Sequence, residues 1–247
     1  MLSQLILWSS IVLELALLVT ALRSRLAYRF PVFYVYIAFV LLQDLVTIFA
    51  LQWSQQIYKG VYWATEFTGL ALGSLVVFEI CKVSLAAYPG TARMARNALA
   101  IVFLTAVARG FPTSAGWQLR STALEIERAL RTVQAAAILA LVVLFLVYSI
   151  PFGRNLRGIM LGYGLFIGER VICLAFVSQQ NHNFWFYAYS ASYVAALGLW
   201  LGHLWSYQPS PQPNACVQLE NDYQRIAAAT QRRLRETQGY LRKAAGS

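Results

Sequence analysis

Charge is what this sequence has least of. Asp, Glu, Lys and Arg make up 12% of its 247 residues, where a soluble domain carries about 25%. A disordered chain needs more polarity than this, and a soluble globule needs a polar surface. Cysteine is also scarce. Cys81, Cys173 and Cys216 lie far apart with no CxxC spacing, which leaves neither a zinc site nor a disulfide framework. The two histidines, His182 and His203, are too far apart for a shared metal and too few for a bundle of bis-His haems, so no cofactor is expected. Lysine occurs only at Lys59, Lys82 and Lys243. The last apolar run, 185–206, has none, which excludes a retinal Schiff base there. HExxH, a nucleophile elbow, a P-loop and GxGxxG are all missing, so no enzyme class is indicated. The lack of an internal repeat weakens the usual transporter architecture.

What is present is apolar. Hydrophobic residues make up 59%, and mean hydropathy is +0.54. A bilayer core needs about 20 mostly apolar residues per helix. Seven stretches qualify: 3–22, 31–53, 61–82, 97–116, 131–150, 158–178 and 185–206. The fourth is the weakest, because Arg109, Gly110 and Pro112 interrupt its end. The first resembles a signal peptide only faintly, through "VTA" at 19–21. It lacks a basic leader and carries Glu14 within its apolar run, so it reads as a span. The expected fold is therefore an all-α, polytopic membrane protein: a bundle of seven transmembrane helices in a bacterial-type inner or plasma membrane.

Net charge is +10. The basic residues are scattered between apolar runs, which favours an anionic membrane surface over nucleic acid as partner. They also set an orientation. Arg23, Arg25 and Arg29 fall in the first loop, Lys82, Arg93 and Arg96 at the third, Arg154 and Arg157 in the fifth, and a further run from Arg225 to Lys243 in the tail. The second loop has Lys59, and the sixth, "SQQNHNF", has no Lys or Arg. This alternation fits an N-terminus outside and a C-terminus in the cytoplasm, and an even number of spans would misplace the basic tail. Trp53, Tyr58, Tyr62, Trp63, Trp117 and Trp185 then fall at the outer interface, with Tyr88, Tyr148, Trp205 and Tyr207 at the inner one, where amphipathic rings anchor.

"TALE" at 122–125 has the form of a capping box, which predicts an early start for the fifth helix. From 122 to 150 it would be about 43 Å long. Glu125 with Arg128 and Glu127 with Arg131 have helical pair spacing and read as a solvated face.

Ionisable residues inside the apolar runs are the functional candidates, because such charges are costly in a bilayer. Glu169 and Arg170 sit mid-run. Glu169 shares a face with Gly158 and Gly162, and Glu66 lies one turn before Gly69 and Gly73. Small residues at that spacing let helices approach closely, so both acids are expected to face protein. Gly198 and Gly202 repeat the pattern on the seventh span. Asp44, Glu66, Arg109, Arg131, Glu169 and Arg170 are thus expected to form one interior polar cluster, with Gln43, Tyr187, Tyr189, Ser190 and Ser192 able to complete it. Glu79 is expected to pair locally with Lys82. Two readings of the cluster stand: structural staples between helices, or an outward-opening pocket or ion path.

The tail, 207–247, divides into a Pro-rich spacer at 207–215 and a helix-competent stretch at 216–243. Leu219, Tyr223, Ile226, Leu234 and Leu241 give it a broken apolar stripe among arginines. It suits anionic inner-leaflet lipids or a cytoplasmic protein partner. The functional expectation is a receptor-like sensor whose small ligand meets Glu66, Arg109 and Glu169. The alternatives are a proton- or ion-coupled transporter and a non-catalytic subunit of a membrane complex.

Overall fold

A computed structural model of the chain describes residues 2–24, 26–53, 55–110, 119–148, 153–176, 182–208, 221–233 and 235. Helices and their connections account for these residues, with no strand among them. In chain order the elements are α1 (Leu2–Ser24), α2 (Leu26–Arg29), α3 (Pro31–Trp53), α4 (Gln55–Ser84), α5 (Pro89–Gly110), α6 (Leu119–Val147), α7 (Arg154–Phe176) and α8 (His182–Leu204). Six of them (α1, α3, α4, α5, α6 and α7) contain a stretch long and apolar enough to cross a membrane. The chain is thus built as an integral membrane protein. Its perimeter agrees, since large apolar side chains such as Leu22, Leu104, Leu139 and Leu146 are exposed there.

The helices close a ring. Going round it, α1 packs on α3, α3 on α4, α4 on α6, α6 on α7, α7 on α8, and α8 back on α1. α5 stands outside the ring and packs mainly against α4 and α6. It also starts earlier than the expected 97–116. Proline suits a first helical position, with φ already set and no N–H to waste. Pro89 therefore opens the helix, and Arg93 and Arg96 remain exposed on its first turns. α6 likewise begins at Leu119, so Thr122 lies inside the helix instead of capping it.

The core below the ring's polar end is aromatic. Phe33 meets Trp200 edge-on at 5.1 Å, Trp200 stacks with Tyr163 at 6.5 Å, and Tyr163 meets Tyr36 edge-on at 6.0 Å. All four are buried. Two of the polar tips find backbone acceptors: Tyr163 Oη donates to Gly73 O at 2.6 Å and Trp200 Nε1 to Ile159 O at 3.3 Å. Buried Tyr and Trp need such partners.

The glycines explain how these rings fit. A Cβ on Gly73 would meet Tyr163 Oη at 2.6 Å, and one on Gly162 would meet Trp200 Cδ1 at 2.7 Å. One on Gly158 would run into His203. The α7 glycines thus give α8 its close approach. Gly198 and Gly202 differ from the expectation: a Cβ there meets nothing within 4 Å.

At the other end of the bundle, Glu79 Oε1 and Oε2 accept the Val32 and Phe33 N–H groups at 2.9 and 2.8 Å. Pro31 opens α3 without an N–H, and the carboxylate satisfies the two free donors that follow it in the first turn. This replaces the expected Glu79–Lys82 pair, which is absent among the described residues. Asn155 fastens the exit from α8, donating to His203 O at 3.0 Å and Ser206 O at 2.9 Å, and accepting from Gln208 N at 2.8 Å. Of the expected tail helix, residues 221–233 are helical. There Tyr223 is half-buried and Ile226 exposed, while Leu219, Leu234, Leu241, Cys216 and the segment 209–215 lie outside the described residues, as does Trp117. Tyr148 Oη donates to Asp222 Oδ2 at 3.3 Å, joining this helix to the end of α6.

Gly162→Ala should destabilise the protein by about 1–3 kcal/mol, because fully buried Trp200 has no room to yield. Gly198→Ala should leave stability unchanged or slightly raised. Thermal unfolding of the two variants in one detergent checks the contrast.

Candidate functional site

At the end where α1 and α8 begin and α3 ends, the ring encloses a cavity of about 220 Å³. Drug-sized ligands occupy about 300–1,000 Å³, so this space suits a smaller molecule. Ser10 of α1, Tyr36, Gln43 and Asp44 of α3, Glu66 of α4, Arg131 of α6, Phe166 of α7 and Tyr189, Ser190 and Tyr193 of α8 contribute to its wall. Every helix of the ring is represented, whereas α5 contributes nothing. The Tyr36–Tyr163–Trp200–Phe33 layer lies immediately beneath.

A four-member ion network stitches one side of the cavity. Arg170 Nε and Nη2 both reach Glu127 Oε1, at 2.9 and 2.7 Å. Glu66 Oε1 lies 3.6 Å from Arg170 Nη2 and 3.6 Å from Arg131 Nη2. Two carboxylates thus face two guanidinium groups, drawn from α4, α6 and α7. Each guanidinium also covers a ring: Arg170 Cζ lies 4.6 Å from the Tyr189 centroid and Arg131 Cζ 5.5 Å from that of Phe166. Desolvated cation–π contacts of this kind contribute about 2 kcal/mol. One turn below Arg131, Gln134 donates to Leu70 O at 3.3 Å and Ser74 Oγ at 3.0 Å, tying α6 to α4.

Some polar capacity around the cavity is unused. Arg131 Nε and Nη1, Gln134 Oε1 and Glu14 Oε2 are buried and accept or donate no hydrogen bond among the described residues. Glu14 is wholly buried one turn below Ser10, and its other oxygen takes the Tyr193 hydroxyl at 2.5 Å. Asp44 has neither an ion pair nor a hydrogen bond among the described residues. With the network neutral in itself, Asp44 leaves the cavity wall one formal negative charge.

The predicted residues separate into three groups. Asp44, Glu66 and Arg131 reach the cavity with Gln43, Tyr189 and Ser190, and Arg170 stands directly behind it. Glu169 faces protein but turns aside. Its Oε2 accepts from Ser192 Oγ at 3.1 Å and its Oε1 from Cys173 Sγ at 2.6 Å, so it joins α7 to α8 instead of entering the network. Arg109 belongs to α5, outside the ring, and its side chain lies outside the described residues, as does that of His182. Tyr187 is exposed. The solvated face expected on early α6 holds for Glu125 and Arg128, but Glu127 and Arg131 are buried, at 3% and 5% exposure. Their partners stand on other helices. Glu127, Glu14, Tyr36 and Tyr193 were not among the predicted site residues. Glu14 stood out only as an acid in an apolar run, and nothing along the chain marks the rings. No family model, curated protein or solved structure matches the chain.

Removing one partner of a buried ion pair leaves a charge uncompensated, which costs about 3–5 kcal/mol. Arg170→Met should therefore lower stability by about 3 kcal/mol, and adding Glu127→Met should restore part of it. A double-mutant cycle by chemical unfolding measures both values. Additive losses would show that the two side chains act independently.

Proposed function

We propose that this chain is a seven-span receptor-like sensor, with its N-terminus outside and its C-terminus in the cytoplasm. α8, 23 residues long and seated between α7 and α1, supplies the seventh span. The cavity then lies in the outer half of the bilayer and receives a small polar ligand from that side. One observation carries the reading: the cavity draws on every ring helix and ends on a buried aromatic floor. A dead-ended space of this kind supports holding a molecule over conducting it.

The route to the cytoplasm is α6. It presents Arg131 to the cavity and leads, 17 residues on, to Tyr148, which holds Asp222 of the tail helix. At 1.5 Å per residue the two points are about 26 Å apart. A ligand that engages Arg131 or Glu66 competes with the ion network and favours whichever arrangement of α6 binds it better. The tail helix then responds through its contact with that helix.

A panel of small polar molecules, screened by thermal shift on wild-type protein, should yield at least one that stabilises it. That shift should shrink in both Asp44→Asn and Glu66→Gln. A panel that moves none of the three proteins counts against the sensor. Orientation is checked with an impermeant thiol reagent on intact cells. A Ser3→Cys variant should react directly, and native Cys216 only after permeabilisation.

A second reading, a proton-coupled transporter, has a specific observation behind it. Glu14 is a wholly buried carboxylate with one unpartnered oxygen, just below the cavity. Intramembrane acids of this type serve proton relays. Flux in proteoliposomes that follows a pH gradient and disappears in Glu14→Gln would favour this reading over the sensor.

A further inference from the structure

At the end of the bundle opposite the polar cavity, a cleft of about 520 Å³ opens between α2, the end of α4 and the start of α5. Four cationic side chains line it: Arg29, Lys82, Arg93 and Arg96. Glu79 is the single acid in its wall, and both of its oxygens are occupied by the N–H groups that start α3. None of the four cations has an ion-pair partner among the described residues. The cleft therefore carries a formal excess of three positive charges where the third loop leaves the apolar region.

A second space adjoins the cleft. Leu85 belongs to the walls of both, and the second, about 410 Å³, lies between α4, α5 and α6. This second space is almost wholly apolar. Ala98, Ala136 and Ala140 face it and are exposed at the perimeter of the bundle, so it is a groove open sideways to lipid. It follows α6 from Leu144 to Thr132, which is about 18 Å at 1.5 Å per residue. Half of a hydrocarbon core about 30 Å thick is roughly that depth. α5, outside the ring, forms the far wall of both parts: Arg93 and Arg96 at the head, Ala98 and Val102 along the groove.

We infer that this composite site binds one anionic phospholipid, its phosphate among Arg29, Lys82, Arg93 and Arg96 and an acyl chain in the alanine groove. The two halves argue for this jointly. Four unpaired cations at a helix end attract a phosphate. A groove of small side chains one leaflet deep takes an alkyl chain, each buried methylene adding to the affinity. A free phosphate ion uses only the first half, and a zwitterionic lipid gains little from the excess charge. The lipid thereby fastens α5, which packs mainly on α4 and α6, to the ring. The site is independent of the cavity and of the C-terminal tail.

The test uses the full chain in mild detergent, titrated with phosphatidylglycerol or with phosphatidylcholine of identical acyl chains, and read by native mass spectrometry and melting temperature. Phosphatidylglycerol should bind one to one and raise the melting temperature, and phosphatidylcholine should bind markedly more weakly. Each Lys or Arg near a lipid surface contributes about 1 kcal/mol, so Arg93→Gln with Arg96→Gln should weaken binding roughly thirtyfold. If that pair fails to fold, Lys82→Gln alone should weaken it roughly fivefold. Ala136→Phe, which fills the groove and keeps every charge, should also weaken binding. Arg157→Gln, an exposed cation outside the cleft, should not. Equal affinity for the two lipids overturns the proposal. So does a cleft variant that behaves like Arg157→Gln, an Ala136→Phe protein that binds normally, or inorganic phosphate that stabilises as well as the lipid.

Discussion

Two carboxylates and two guanidinium groups, nearly dry, have to neutralise one another. Much of the rest depends on that requirement. In hydrocarbon an isolated charge of this kind costs several kcal/mol, so Glu66, Glu127, Arg131 and Arg170 are tolerable only as a set. The set exists only when α4, α6 and α7 stand at one spacing and in one register. Apolar packing between membrane helices is weakly selective, since lipid tails are as apolar as leucine. Charge pairing supplies the selectivity that packing lacks, and the rings of Phe166 and Tyr189 complete the shell around each guanidinium.

The same arrangement clears a space. With the four charges gathered on one side, the rest of the wall is left to Ser10, Gln43, Asp44 and Tyr193, which do not fill the gap. Below it the glycines have the opposite effect. Gly73, Gly158 and Gly162 admit Tyr163, His203 and Trp200 so closely that the core is solid there. The bundle is hollow where its polar residues meet and dense where its small residues meet its aromatic ones. This contrast gives the cavity a floor.

The sequence made some of this legible. Six helices followed from apolar length alone, and among the described residues each of these overlaps its expected stretch. Glu66, Arg131 and Arg170 were identifiable as costly residues that had to be sheltered. Their partners were not. Glu127 lies four residues before Arg131, a spacing that favours a local pair, and nothing along the chain reveals that Arg170 offers a better one. Glu169 shows the reverse: it was the strongest candidate by position, yet one residue before Arg170 it points to another side of α7 and meets Ser192 instead. The place of α5 was hidden for a related reason. Hydropathy measures whether a helix tolerates lipid. It does not say which neighbours the helix will have, and α5 tolerates lipid while taking no part in the ring.

The contact between α1 and α8 carries a consequence for synthesis. Neighbours in the ring are mostly neighbours in the chain, but this one joins α1 to α8, with every other ring helix lying between them in sequence. Glu14 waits for Tyr193, 179 positions later. Until α8 is released, a wholly buried acid has no hydroxyl to meet, and the ring lacks its sixth helix. The nascent bundle is therefore an open horseshoe with a polar inner rim, vulnerable to stray lipid or to another unfinished chain. It becomes a vessel only once α8 has been made and seated between α7 and α1.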